Sequence, residues 1–155
     1  MDGLSRWYLS ETKVLCNSED FVPATRYNIV GVKEFIAVLQ DNRGYLLIDT
    51  RNASEFTNTD DTKWKNMGHI KNALNIPATD IDSNKMREYV KFAGKPVLLY
   101  GGSNSSELYT AANVLAANGF KNVYVLSAGI FDIRWTAANI KGMAYLNDCI
   151  VDVPE

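Results

Sequence analysis

The chain is poor in the residues that most often build metal and redox sites. Its 155 residues include only two cysteines and one histidine. Cys16 and Cys149 lie near opposite ends of the sequence, and neither has another cysteine or a histidine at metal-ligand spacing. We therefore predict no metal site, and no other pattern indicates a cofactor. The two thiols are either buried and free, or joined in a disulfide between the terminal segments, which would require an oxidising compartment.

Strong charge and long apolar runs are also lacking. The net charge is −2 and no run of basic residues exceeds two, which argues against binding to nucleic acid or to an anionic membrane surface. No apolar stretch approaches the roughly 20 residues of a membrane span, and residues 1–18 contain no signal-peptide core. We expect no nucleic-acid partner, no membrane span and, if Met1 is the native start, a cytoplasmic protein.

Alternating strand and helix patterns predict a single α/β domain, as the length also favours. Short apolar runs are typical of strands buried on both faces, whereas apolar residues three and four apart are typical of helices. Their alternation indicates a mostly parallel sheet of about five strands with helices on both faces. We predict a domain at 27–140, with extensions at 1–26 and 141–155. The predicted strands are 45–49, 73–76, 97–100 and 123–126; the predicted helices are 32–40, a short one capped by Asn52, 83–93, 106–118 and 130–138.

A Gly/Ser/Asn loop lies between the strand that ends at Tyr100 and the helix that follows. A strand, a loop and a helix N-terminus in this order can hold an anion on backbone N–H groups. The loop contains no Arg or Lys, and Glu107 brings the only charge nearby. We therefore expect inward-facing N–H groups and weak anion binding, with Ser105 or Ser106 as the N-cap of the helix. The loop residues are Gly101, Gly102, Ser103, Asn104, Ser105 and Ser106.

Four segments, in order, resemble the rhodanese-like family. They are Leu-Ile-Asp-Thr-Arg at 47–51 with Glu-Phe at 55–56, Gly-His-Ile-Lys-Asn-Ala-Leu-Asn-Ile-Pro at 68–77, Lys-Pro-Val-Leu-Leu-Tyr at 95–100, and Gly-Phe-Lys-Asn-Val-Tyr-Val-Leu at 119–126 with Gly-Ile at 129–130. The resemblance covers about residues 29–138 and implies a rhodanese-like α/β fold. It also implies structural roles near the site for Asp49, Arg51 and His69.

The chain departs from that family at the residue that carries sulfur. In the family the loop begins with a cysteine whose thiolate is stabilised by N–H groups and the helix dipole. Counting forward from Pro96 places Gly101 there, whereas counting back from Gly119 places Gly102 there. The second alignment makes the loop one residue longer, similar to the related cell-cycle dual-specificity phosphatases. Both candidates are glycine, so the resemblance implies no catalytic residue and an inactive homologue.

Other groups are weaker candidates for the missing nucleophile. A loop serine would need a base, and the only histidine is His69. Asp49 and Arg51 end a strand, where α/β proteins place their sites, but the resemblance assigns them to backbone orientation. Cys16 or Cys149 could substitute only if the terminal segments fold over the loop.

The insertion at 57–67 is polar but carries Trp64 and Met67, residue types enriched in interface cores. We expect both to pack back on the domain, the alternative being contact with a partner. Trp135 is expected in the core.

Three functions are consistent with these observations. The first is a catalytically inactive module that binds a protein partner or other domains of a longer chain. The second is a sulfurtransferase or phosphatase that uses an unrecognised nucleophile. The third is an anion or small-ligand sensor that uses the loop.

Overall fold

The computed structural model describes residues 26–41 and 44–152. Cys16 lies outside the described residues, as does nearly all of the predicted N-terminal extension, so a disulfide with Cys149 stays a prediction. The strands are β1 (Asn28–Val30), β2 (Leu46–Asp49), β3 (His69–Ile70), β4 (Leu74–Asn75), β5 (Pro96–Tyr100), β6 (Asn122–Leu126) and β7 (Ile150–Val151). The α-helices are α1 (Val32–Gln40), α2 (Ala53–Phe56), α3 (Ser83–Arg87), α4 (Ser106–Ala117) and α5 (Gly129–Asn139), and short 3₁₀ segments cover Lys63–Lys65, Ala78–Asp80, Val90–Phe92 and Ala144–Cys149.

Five strands form one parallel sheet in the order β1-β6-β5-β2-β4. At its centre β2 pairs with β5, with Leu46 opposite Val97 and Asp49 opposite Tyr100. Every residue of β2 is buried, which is why its sequence is a continuous apolar run rather than an alternating one. The prediction of a five-stranded parallel sheet covered by helices is confirmed.

The two faces of the sheet carry separate apolar cores. Side chains alternate along a strand, so Val97 and Leu99 of β5 face one core whereas Leu98 and Tyr100 face the other. Helix α4 covers the first face, and α1 and α5 cover the second. Because α4 follows β5 and α5 follows β6, and these two strands are parallel neighbours, both helix N-termini lie at the carboxyl ends of the strands, where the Gly/Ser/Asn loop lies.

β1, β3 and β7 were not predicted from the sequence. β3 and β7 form a second, antiparallel sheet, with His69 opposite Val151 and Ile70 opposite Ile150. Met143, Leu146 and Ile150 pack into the second core, so residues predicted as a C-terminal extension contribute to that core. β4 is equally short but lies within the predicted strand at 73–76, whereas β3 and β7 lie outside every predicted strand.

Two helix predictions need correction. Residues 83–93 form α3 and a separate 3₁₀ turn rather than one helix, and the N-cap of α3 is Asp82, whose side chain accepts a hydrogen bond from the Lys85 N–H at 2.7 Å. Trp135 was expected in the core but is 49% exposed, because Ile133 and Ala137 supply the buried side of α5. No helix among the described residues is long and apolar enough to cross a membrane.

Candidate functional site

The loop at 101–105 is fixed to the helix that follows it. Ser105 is the N-cap of α4, and its Oγ accepts a hydrogen bond from the Leu108 N–H at 3.2 Å. The Oδ1 atom of Asn104 accepts hydrogen bonds from the Tyr109 hydroxyl at 2.9 Å and from the Ala128 N–H at 3.0 Å. Asn104 therefore joins the loop both to α4 and to the turn before α5.

Backbone hydrogen bonds join the N-terminus of α5 to the same loop. The Gly101 carbonyl accepts a hydrogen bond from the Ile130 N–H at 2.9 Å, and the Gly102 carbonyl accepts one from the Phe131 N–H at 3.2 Å. Gly129 makes this approach possible, since its φ is +63° and a Cβ there would lie 2.3 Å from the Gly101 oxygen. Only glycine fits so close to another backbone.

A cleft of about 390 Å³ lies over the loop. Its lining includes the loop glycines, Thr50, Arg51 and the 3₁₀ segment that carries Trp64. The full set of lining residues is Thr50, Arg51, Asn52, Glu55, Trp64, Lys65, Met67, Ala78, Thr79, Gly101, Gly102, Ser103, Ser105, Glu107 and Phe131. The carboxyl ends of β2 and β5 and the N-terminus of α4 thus meet at one concave surface, as is usual for ligand sites in open α/β sheets.

Arg51 is the most buried cation of the cleft, and its charge is already compensated. Its Nε and Nη2 atoms donate to the two carboxylate oxygens of Asp49, at 3.0 and 2.7 Å, and Nη2 also donates to the Gly68 carbonyl at 2.7 Å. Burial by itself would lower the pKa of Arg51, but the hydrogen bond and charge of Asp49 outweigh it and raise the pKa. The guanidinium therefore ties β2 to the Gly-His-Ile segment, with few donors left for a ligand.

Tyr100 reinforces the same connection from β5. Its hydroxyl accepts a hydrogen bond from the Ile70 N–H at 2.9 Å, and its carbonyl accepts one from the Thr50 hydroxyl at 3.0 Å. Burial raises the pKa of the Tyr100 phenol far above its ordinary value. Neutral Tyr100 thus holds the Gly-His-Ile segment beneath the cleft.

Glu107 was noted in the sequence only as the negative charge near the loop, and the structure places it in the cleft lining. Its own N–H and the hydroxyls of Ser105 and Ser106 lower the pKa of its carboxyl group. In the part of the chain that the structure describes, Glu107 has no cation within ion-pair distance. The first turn of α4 thus already faces a carboxylate, which weakens it as a site for a further anion.

The two glycines that replace the family's cysteine differ in the space around them. A Cβ at Gly101 would lie 3.2 Å from the Ser103 carbonyl oxygen and 3.5 Å from the Thr50 hydroxyl. A Cβ at Gly102 would make ordinary contacts, 3.7 Å from Arg51 Cδ and 4.0 Å from Met67 Cε. Position 102 therefore has room for a side chain, whereas position 101 is crowded by the Ser103 carbonyl.

Of the candidate base and thiols, His69 and Cys149 are among the described residues, and neither lines the cleft. The His69 ring stacks on Phe56 with 3.9 Å between centroids, and its Nε2 lies 3.7 Å from a carboxylate oxygen of Asp152. Cys149 is half-buried in the 3₁₀ turn before β7, and burial, aided by the charge of Asp148, raises the pKa of its thiol. Neither side chain is brought to the loop serines. Among the described residues no group of side chains is arranged to hold a metal ion.

The two apolar residues of the insertion at 57–67 differ in burial. Met67 is half-buried and packs against the second core, as expected. Trp64 is 71% exposed, so the expectation that it packs back is wrong. Hydrogen bonds between Asp60 and Asn66 close the insertion on itself, at 3.1 and 3.0 Å, and the 3₁₀ turn Lys63–Lys65 carries Trp64 on the outside of that closed loop.

Comparison with known structures gives the same fold. The BH2092 protein from Bacillus halodurans superposes with a TM-score of 0.52 at 22% identity, over 88% of this chain and 83% of that one. The reduced Bacillus anthracis CoADR-RHD superposes with a TM-score of 0.51 at 21% identity, over 81% of this chain but only 18% of the larger one. At these identities the likeness is one of fold.

Sequence comparison identifies the family. Uncharacterized protein YibN of Escherichia coli (strain K12) is 33% identical over 73 residues, which are 47% of this chain and 49% of YibN. The chain thus spans about half the length of the curated relatives it matches. A family model described as the rhodanese-like domain matches residues 32–135. With this match, and with the parallel sheet and loop described above, the chain belongs to the rhodanese-like domain family.

Proposed function

We propose that this chain is a catalytically inactive rhodanese-like module that acts by binding. The observation that carries the proposal is the pair Gly101 and Gly102 at the start of the loop, where the family's chemistry needs a thiolate. In residues 26–41 and 44–152 no cysteine lines the cleft. The one described thiol, Cys149, is on another part of the domain, and its raised pKa opposes thiolate formation.

The surroundings of the loop also support binding rather than sulfur or phosphoryl transfer. Transfer enzymes of this kind stabilise an anionic group with free donors and cations. Here Arg51 is occupied by Asp49 and by backbone carbonyls, and the carboxylate of Glu107 lines the cleft. The anion-sensor alternative is weakened by the same groups.

The partner is either a separate protein or another domain of a longer chain. The length of the curated relatives favours neither, since only about half of each is matched. The Bacillus anthracis neighbour contains this fold within a much longer chain, which is consistent with the second arrangement. A binding module would use exposed apolar side chains at its contact surface, and Trp64 and Phe131 at the rim of the cleft are such side chains.

The test is a pair of transfer assays on the intact chain. We expect no thiosulfate:cyanide sulfurtransferase activity and no phosphate-ester hydrolysis above a buffer blank, with a cysteine-bearing member of the family as positive control. Thiocyanate formation at enzyme-like rates that Cys16→Ser or Cys149→Ser abolishes would refute the proposal and favour an unrecognised nucleophile.

Titration calorimetry with sulfate and with phosphate tests the sensor alternative. We expect dissociation constants in the millimolar range or weaker, about −4 kcal/mol at best. Micromolar binding would contradict this expectation and would favour the sensor, with Arg51 and Arg134 as the first cations to replace.

A further inference from the structure

Two exposed aromatic side chains line the cleft, and the family resemblance indicated neither of them as a cleft residue. Trp64 is 71% exposed and Phe131 is 53% exposed, and both line the same cavity together with Met67. They come from different parts of the fold: Trp64 from the 3₁₀ turn of the insertion and Phe131 from the first turn of α5. Exposed aromatic rings in the lining of a cavity offer π faces to a cation.

The charges that line the cleft leave one carboxylate uncompensated. The charge of Arg51 is compensated by Asp49 at 2.7 Å. Lys65 Nζ lies 3.8 Å from an oxygen of Glu55, so these two charges also offset each other. Within the described ranges, Glu107 has hydroxyl and N–H partners but no cation. The uncompensated charge among the described lining residues of the cleft is therefore negative.

The apolar surface continues beyond the cleft along α5. Trp135 follows Phe131 by four residues and is 49% exposed, and residues at this spacing are neighbours on one side of a helix. A small free cation would leave Trp135 without a contact. A peptide segment whose basic side chain enters the cleft would cover Trp135 with the residues that flank it.

From these observations we propose that the cleft binds a lysine or arginine side chain of a protein partner. The charged head of that side chain lies at the Glu107 carboxylate, and its aliphatic stem or guanidinium plane packs on the rings of Trp64 and Phe131. Trp135 packs against the flanking residues of the partner. This proposal rests on the binding function proposed above and names the chemistry of the partner. A cleft that binds this side chain prefers a cation, whereas an anion-binding loop would prefer an anion.

The first experiment measures charge preference by NMR titration of the full chain. The probes are N-acetyl-arginine N-methylamide and N-acetyl-citrulline N-methylamide, which have nearly the same shape but differ in charge. We expect the arginine probe to shift resonances of Trp64, Glu107 and Phe131 with a millimolar dissociation constant, and the citrulline probe to bind about tenfold more weakly. Equal affinities for the two probes, or shifts that avoid these residues, would overturn the proposal.

Variants then test the named side chains. Glu107→Gln should weaken binding of the arginine probe about tenfold, and Phe131→Ala should weaken it severalfold. The matched control is Glu34→Gln, because Glu34 is also an exposed glutamate in the first turn of a helix but lies on α1, away from the cleft. An equal effect of the two glutamate variants would overturn the role of Glu107. Melting temperatures of all variants verify that they are folded.

A third experiment uses two peptides to distinguish a protein partner from a free cation. The probes are Ac-Ala-Leu-Arg-Leu-Ala-NH₂ and the same peptide with glutamate in place of arginine. We expect the arginine peptide to bind at least fivefold more tightly than the single-residue probe, and Trp135→Ala to remove that gain. Equal affinity for peptide and single residue would overturn the protein-partner assignment. Transfer activity measured as above would instead overturn the proposed function, so the two failures are distinguishable.

Discussion

Gly129→Ala tests the close approach between α5 and the loop. Gly129 has a φ of +63°, and an added Cβ would lie 2.3 Å from the Gly101 oxygen and 2.7 Å from the Gly102 carbonyl carbon and oxygen. These are backbone atoms, which cannot rotate away as a flexible side chain would. The variant must therefore move the N-terminus of α5 away from the loop.

The expected loss of stability has two sources. Left-handed backbone costs a residue other than glycine about 1–2 kcal/mol. Displacing α5 also weakens the hydrogen bonds from the Ile130 and Phe131 N–H groups to the loop carbonyls, each worth about 0.5–1.5 kcal/mol. Together these give a loss of about 2–5 kcal/mol in the free energy of unfolding. For a chain of this length that corresponds to a fall in melting temperature on the order of 5–15 °C.

The matched control is Gly119→Ala. Gly119 follows α4 with a φ of +89°, yet a Cβ there would meet no atom within 4 Å, so this variant has the backbone strain without the clash. Urea denaturation of both variants should show Gly119→Ala losing about 1–2 kcal/mol and Gly129→Ala losing more. Equal losses would refute the argument that close approach to the loop requires glycine at position 129.

Three further changes have outcomes that follow from the site. Asp49→Asn leaves the charge of Arg51 buried without its partner and should cost about 3–5 kcal/mol in urea denaturation; a loss below about 1 kcal/mol would contradict the pairing. Because the pKa of Tyr100 is raised in the folded protein, the unfolded chain loses the phenol proton at a lower pH than the folded chain. The contribution of Tyr100 to the free energy of unfolding is therefore complete below about pH 10 and falls by up to about 1.4 kcal/mol per pH unit above it. Tyr100→Phe should reduce this loss of stability at high pH, and an unchanged slope would contradict the assignment. Gly102→Cys should keep the unfolding free energy within about 1 kcal/mol of the parent value, because its Cβ makes only ordinary contacts. The variant should also gain one thiol that reacts rapidly with a thiol reagent, and slow reaction would show that position 102 does not face the cleft.

The sequence predicted four of the five strands of the central sheet and missed β1, which has only three residues. Leu46, Leu47 and Ile48 form the apolar run that is typical of a strand buried on both faces, and helix α4 was recognised from apolar residues at helical spacing. The loop was located for the same reason, since it lies between two well-predicted elements. Its missing cysteine was visible only through the resemblance to a family.

The parts that the sequence did not predict depend on contacts between distant residues. Nothing near Trp64 in the sequence indicates that a hydrogen bond between Asp60 and Asn66 closes the insertion and leaves the indole outside. Phe131 looked like an ordinary residue of a helix, and only the docking of α5 on the loop brings it to the cleft. The antiparallel pair of β3 and β7 joins residues about 80 positions apart, and neither strand is long enough to be recognised alone.

The anchoring of the Asn104 side chain has a consequence for the kinetics of any ligand of the cleft. Because this amide accepts hydrogen bonds from both Tyr109 and Ala128, the loop is ordered before a ligand arrives. Association then loses little conformational entropy in the protein and needs no slow rearrangement of the loop. We therefore expect partner binding in one step, at the rates of about 10⁵–10⁷ M⁻¹s⁻¹ that are usual for preformed surfaces, with differences among ligands expressed mainly in how long they stay bound.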